Sequence, residues 1–358
     1  MTLDEISIIL VYSAMAVYAI AFIAYAIDLA RRSAAATSAA DAVKVSNVPK
    51  AAEAPANATT TIRAVRAASA GLASVPGDYD TDATTASVSE SAGTKTLGGA
   101  VTYGRSPSLR VGVAMTVVAW LLHLAATVTR GIAAERVPWA NMYEFALTGT
   151  LIITTVYLLV LVVSKHDLRF LGTFVTGLVL VLLGVATVNF YVSVVPLPPA
   201  LQSAWLVIHV FVATSATGFL ALGFALSVVQ LLQSRRELVV ASAKSAKQSF
   251  LATLPDSATL ENLAYRVIII GFILWTFTLM AGAIWAEAAW GRYWGWDTKE
   301  VWTFIIWVVY AGYIHARATR GWRGSRSAWL AIIGFSTVLF NFTVVNLFFK
   351  GLHAYSGL

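Results

Sequence analysis

Residues 265–287 read YRVIIIGFILWTFTLMAGAIWAE, and only the second and the last of them carry a charge. At 1.5 Å per residue a helix of this length spans about 34 Å, enough to cross a hydrocarbon core of roughly 30 Å. Runs of the same kind recur along the chain. Eight spans are predicted: about 6–29, 109–129, 143–164, 169–190, 204–232, 265–287, 301–318 and 328–350. Composition agrees, because 58% of the 358 residues are hydrophobic and 12% are charged, whereas soluble domains carry about 25% charged residues. The expected fold class is all-α: a polytopic integral membrane protein of about eight transmembrane helices.

Residues 33–105 interrupt this pattern. They are rich in Ala, Ser and Thr, hold six basic and six acidic residues, and show no sustained apolar period. Such a segment buries too little apolar surface to offset the entropy of ordering it, so a disordered insertion is expected. The chain therefore divides into an N-terminal transmembrane helix (1–32), the insertion (33–105) and a membrane domain (106–358). The opening MTLDEIS lacks a basic n-region, and the first run is read as a retained helix rather than a signal peptide.

The net charge of +7 does not point to nucleic acid. Arg31, Arg32, Lys165, Arg169, Arg235, Arg236, Arg317, Arg320, Arg323 and Arg326 border apolar runs, where basic residues set orientation. One alternation satisfies all of them. It places both termini and the loops 130–142, 191–203 and 288–300 on the extracytoplasmic side of the cell (plasma) membrane. Arg130, Arg136, Arg292, Lys299 and Lys350 then lie outside against the trend, and exceptions of this kind can mark sites for anionic ligands. With no cysteine, the chain offers no disulfide, thiolate metal site or Cys nucleophile.

The outward loop after the opening stretch reads WAEAAWGRYWGWDTKEVW (285–302), and six of the 12 Trp residues fall between Trp285 and Trp307. An interfacial aromatic belt accounts for one or two indoles per helix end, not for this density. Gly291 and Gly295 let a flat ligand approach the backbone. Asp297 is placed to cap the next helix, and the indoles of Trp285, Trp290, Trp294 and Trp296 offer stacking faces. Together they suggest a platform for a large, planar, apolar ligand.

The histidines sort by depth. His209, near the outer end of its span, and His353, just past the outer end of the last, share the level of the Trp-rich loop. A haem iron takes axial ligands from opposite faces, which requires two imidazole nitrogens roughly 4 Å apart across the metal; shared depth permits this. His315 lies 13 residues below Trp302, roughly 20 Å toward the cytoplasm. His123 sits in the outer half of its span, and ionisable groups at such depths are costly and count as functional candidates. His166, in a basic turn, receives no role.

These residues carry a resemblance. WGRYWGWDTKEVW is similar to the WWD signature, WGxYWxWDPKExW, of haem-handling membrane proteins. VPWANMYEF (137–145), YIHAR and GLHAY resemble further motifs of the CcsA/CcsB-type component of System II cytochrome c biogenesis. The likeness covers about 109–358. It implies that His209 and His353 are outward-facing ligands of the haem iron, flanking Trp285, Trp290, Trp294, Trp296 and Asp297. It also implies that His315 is an intramembrane ligand whose counterpart lies in a ResB-type partner. Haem b would be the transported substrate, moved across the membrane and presented to the CXXCH thiols of an apocytochrome c, with thiol reductants as further partners. The chain would then be a subunit of a cytochrome c haem lyase. Arg292, Lys299 or Lys350 is placed by charge and side to hold the haem propionates. Thr298 stands where the signature has Pro. A haem chaperone without attachment activity and a small-solute permease remain the alternatives.

Overall fold

The computed structural model describes residues 1–46, 96–97, 100–101, 106–194, 201–242, 250–349 and 351–353. Its helices are α1 (Leu3–Ser46), α2 (Pro107–Ala134), α3 (Met142–Val163), α4 (Gly172–Asn189), α5 (Ala204–Ala241), α6 (Ser257–Trp290), α7 (Thr298–Thr319), α8 (Ser325–Phe340) and a last short turn α9 (Asn346–Phe348). A five-residue π-helical turn, Asn341–Val345, joins α8 to α9. Two-residue strands β1 (Thr96–Leu97) and β2 (Ala100–Val101) pair antiparallel.

The polytopic helical membrane architecture is as expected. Seven of these helical segments are long and apolar enough to cross a membrane. The span expected over 301–318 forms α7, long enough at 22 residues, but Lys299, Glu300 and Arg317 dilute its apolarity. The boundary expected after residue 32 is not a helix end, for α1 continues through Ser46. Asp28 and Arg32 form a buried i,i+4 ion pair at 2.7 Å there, and Ala residues, the best helix formers, follow at 34–36. The remainder of the expected insertion, apart from the two strands, lies outside the described residues.

Two packing centres meet along α5 and α6. In the first, Val11, Tyr18, Ala119, Leu147, Val175 and Leu183 from α1–α4 pack against Leu222, Leu226 and Leu260. In the second, Leu220, Ile268 and Trp275 of α5 and α6 pack against Ile306, Tyr310 and Phe335 of α7 and α8. Apolar side chains cover the outside as well: Val162 and Val188 are 84% and 81% exposed, as expected where the surroundings are lipid tails rather than water.

Several charged side chains inside this apolar body are paired. Arg130, fully buried on α2, binds Glu144 of α3 and Asp4 of α1, and donates to Val192 O at 2.7 Å. Glu144 also takes Arg136 at 2.7 Å. Two of the five basic residues that oppose the charge trend are thus neutralised internally. At the other end, the Arg-rich one, Glu261 of α6 takes Arg317 of α7 at 2.5 Å and the N–H of Gly324, which leads into α8, at 2.9 Å. Gln230 of α5 reaches the Gly324 carbonyl at 3.0 Å.

Removing one member of a buried pair strands the other, at a cost of about 3–5 kcal/mol, whereas removing both costs much less. Arg317→Met is therefore expected to lower the thermal unfolding temperature in detergent sharply. Arg317→Met with Glu261→Met should recover part of the loss. A single variant that melts like the wild type would contradict this account of the Arg-rich end.

Candidate functional site

The Trp-rich loop is built from two helix ends. α6 closes at Trp290 on Gly291, whose φ of 70° is the left-handed value of a C-cap and whose N–H returns to Glu287 O at 2.8 Å. α7 restarts on Asp297, with the cap that the sequence led one to expect. The Asp297 carboxylate accepts from Lys299 N at 3.3 Å, and Glu300 Oε2 accepts from Asp297 N at 3.0 Å, closing a capping box. Glu300 Oε2 also accepts from Gly295 N at 2.8 Å. Trp296, between those two tethered amides, has φ 58°, a conformation rare for a residue with a side chain. Glu300 thus holds the loop in a shape that local preference disfavours.

Asp297 has a second set of partners. Its Oδ1 accepts from Leu352 N at 3.1 Å, and its Oδ2 from His353 Nδ1 at 2.8 Å. Gly351 is required for this approach, because a Cβ there would lie 2.2 Å from Oδ1. The hydrogen bond from His353 is the main reason that the Asp297 pKa falls to about 2, helped by the Leu352 and Lys299 N–H groups and opposed by desolvation. His353 packs edge-on against Trp285 and Trp290, with centroids 5.5 and 5.1 Å away.

His209 reaches the same indole from α5. Its ring stacks on Trp285 at 5.8 Å and 18°, and its Nδ1–H donates to the Thr278 carbonyl of α6 at 3.0 Å. A Cβ on Gly282, one helical turn further along α6, would come within 2.7 Å of the imidazole. Because a carbonyl and a carboxylate only accept, Nδ1 carries the proton in both histidines. In the neutral ring Nε2 then carries the lone pair, the arrangement that orients an imidazole as a metal ligand.

Both histidines line one cavity of about 1180 Å³, counting its open mouth. Trp139, Phe145, Trp275, Trp285, Trp294 and Phe342 give it aromatic walls, and Asn141, Lys299, Asn341 and Asn346 a polar one. Lys299 Nζ donates to Asn341 O at 3.2 Å and to Asn346 Oδ1, and stands 5.0 Å from the Phe342 ring centroid. Asn341 is the first residue of the π-helical turn.

Of the residues selected from sequence, His209, His353, Trp285 and Trp294 come together on the cavity. Trp290 stands behind it, on Trp285 and His353. Asp297 acts through His353. Trp296 is 75% exposed and Arg292 is exposed, and neither lines the cavity. His123 is elsewhere, fully buried between α1, α2 and α3, its Nε2 2.8 Å from Leu147 O and its Nδ1 3.4 Å from the Tyr18 hydroxyl. It is not placed to meet a ligand with the other histidines; burial there is satisfied by neighbours. His315 is exposed on α7, twelve residues from the lining residue Thr303, roughly 18 Å by helical rise. Lys350 lies outside the described residues. Sequence reasoning did not select Asn141, Gly282, Asn341 or Asn346. Asn341 and Asn346 were visible as polar interruptions of an apolar run, FNFTVVN, and Asn141 within VPWANMYEF.

A multi-pass helical membrane protein with a histidine-bearing aromatic cavity at one end is the class that fold and site define. The family described as Cytochrome C assembly protein matches residues 139–353, from the cavity-lining Trp139 to His353. A cytochrome c biogenesis protein CcsA of Guillardia theta is 36% identical over 263 residues, covering 69% of this chain and 86% of that protein. One of Synechococcus elongatus is 35% identical over 284 residues, covering 68% and 87%. The chain belongs to the cytochrome c assembly protein family. Among solved structures it is similar in fold to Cytochrome c Heme Lyase CcmF, with a TM-score of 0.56 at 15% identity; the match covers 96% of this chain and about half (47%) of that one.

A carboxylate whose folded pKa is depressed contributes stability above its unfolded value, and the contribution fades as pH falls toward the folded one. For Asp297 that window runs from about 3.8 down to about 2. The gap in unfolding temperature between the wild type and Asp297→Asn should therefore close as the pH is lowered through this window. A gap of constant size from pH 6 to pH 2 would show that the ionised carboxylate adds nothing.

Proposed function

We propose that the protein receives haem b as a substrate, holds its iron through His209 and His353, and presents it for attachment to an apocytochrome c. One observation carries this reading: two histidines whose Nδ1 atoms are fixed by acceptors border a single cavity with aromatic walls. Indole and phenyl faces suit a flat conjugated ring, and two neutral imidazoles suit its iron.

In this scheme the cavity opens on the extracytoplasmic side, in accord with the placement of basic residues. The covalent step needs no oxidant: a CXXCH thiol adds across a vinyl group of the haem, an S–C bond replaces the π bond, and the thiol proton passes to the other vinyl carbon. The chain contributes position rather than a nucleophile, so the step is accelerated by restricting the reactants. Reductants that keep the substrate thiols free are further partners. His315, exposed and remote from the cavity, suits a ligand shared with a second membrane protein of the ResB type, through which haem reaches this chain.

His209→Ala and His353→Ala should each change the absorption spectrum of copurified haem and abolish maturation of a reporter cytochrome c. His315→Ala should lower the amount of haem loaded without altering its spectrum. Unchanged spectra and full maturation in both of the first two variants would overturn the assignment. Haem that binds normally yet is never attached in the presence of the partner would leave a chaperone.

A further inference from the structure

The cavity's polar wall has hydrogen-bonding capacity that the protein itself does not use. Asn141 is 7% and Asn341 1% exposed, and both line the cavity. Asn141 Oδ1 accepts from Glu144 N at 2.9 Å as the cap of α3, which settles the direction of its amide. Its Nδ2 is left buried with no partner. Asn341 Oδ1 is likewise unpartnered. No side-chain bond among the described residues fixes that amide, so a half-turn offers its NH2 group instead. Lys299 Nζ donates to Asn341 O and Asn346 Oδ1, and in its protonated form it retains a third N–H. An unmade buried hydrogen bond is costly, and native proteins seldom carry two in one place without a ligand to satisfy them. Glu300 also lines the cavity, but its Oε2 is held by Gly295 N and Asp297 N.

We propose that Lys299 and Asn141, with Asn341 beside them, form a subsite for a carboxylate of the planar ligand. It rests on the proposed binding of haem, a ring with an apolar body and two carboxylate tails. An ammonium and an amide donor on one wall of an aromatic cavity match such a molecule end to end. The histidines take the metal, the indoles and phenyls the ring, and Lys299 with Asn141 the acid. The subsite also sets orientation, because a ring rotated about the iron axis would bring an apolar edge against the ammonium.

The test compares haem with its dimethyl ester, which keeps ring and iron but removes both negative charges. Binding to the purified full chain in detergent is followed by absorbance. The wild type should favour haem by about tenfold, the scale of one charge-assisted hydrogen bond. Lys299→Met should lose most of that preference by weakening haem binding while leaving the ester unaffected. Asn141→Ser keeps a capping oxygen for α3 and should lose part of it, which provides a second reading if Lys299→Met folds poorly. The ligand-field spectrum should stay that of the wild type in both. Equal binding of acid and ester by the wild type, or equal weakening of both in the variants, would overturn the subsite. Failure of the wild type to bind either compound would instead overturn the proposed haem site.

Discussion

The carboxylate of Asp297 is the interaction on which the Trp-rich end depends. It begins α7, it accepts the amide of Leu352, and it orients the ring of His353. Two segments more than fifty residues apart in the chain thus converge on two oxygen atoms. A hydrogen bond to a charged group contributes about 1.5–3 kcal/mol, and this one carboxylate accepts several. The crowding of Gly351 against Oδ1 follows from it: the backbone must come close for its N–H to reach the carboxylate. Glu300 extends the same logic, since its two backbone bonds hold Trp296 at a positive φ.

Around that node a buried ion network ties the helices together. Arg130, Glu144, Arg136 and Asp4 knit α1, α2 and α3 together beside the turn that carries Trp139 and Asn141 onto the cavity. Glu144 Oε2 takes the Ala140 amide at 3.0 Å, so the ion network holds the backbone between the lining residues Trp139 and Asn141. The α5–α6 hairpin serves both packing centres and brings the His209 ring against Gly282 and Trp285. Rigid positioning of one imidazole follows from a missing side chain on the neighbouring helix.

The Trp cluster divides once the fold is known. Trp285 and Trp294 line the cavity, and Trp290 braces Trp285 and His353. Trp296 faces outward. Trp302 packs on Phe340 at 4.3 Å, and the Trp307 indole N–H donates to Thr276 at 3.0 Å, so both tie α7 to its neighbours. Similar density in the sequence hides binding, bracing and packing roles.

The sequence alone determined the helical membrane architecture and the position of most helices. Apolarity over 20 residues is a local property, and in lipid an uninterrupted apolar run of that length satisfies its own backbone hydrogen bonds as a helix. The cap at Asp297 was legible for the same reason, being set by neighbours in the chain. Local information failed where composition and helix length disagree, as at 33–46, where Ala-rich chain continues α1 although it is no longer strongly apolar. It also failed where a residue's role depends on another helix. His123 and His209 look alike as lone histidines in apolar runs, yet one meets Leu147 O and Tyr18 inside a core and the other meets Thr278 O beside a cavity. Nothing within a few residues of either distinguishes them, because hydrogen-bond partners 24 and 69 positions away do. Only tertiary packing decides which imidazole is enclosed and which keeps a nitrogen for a ligand.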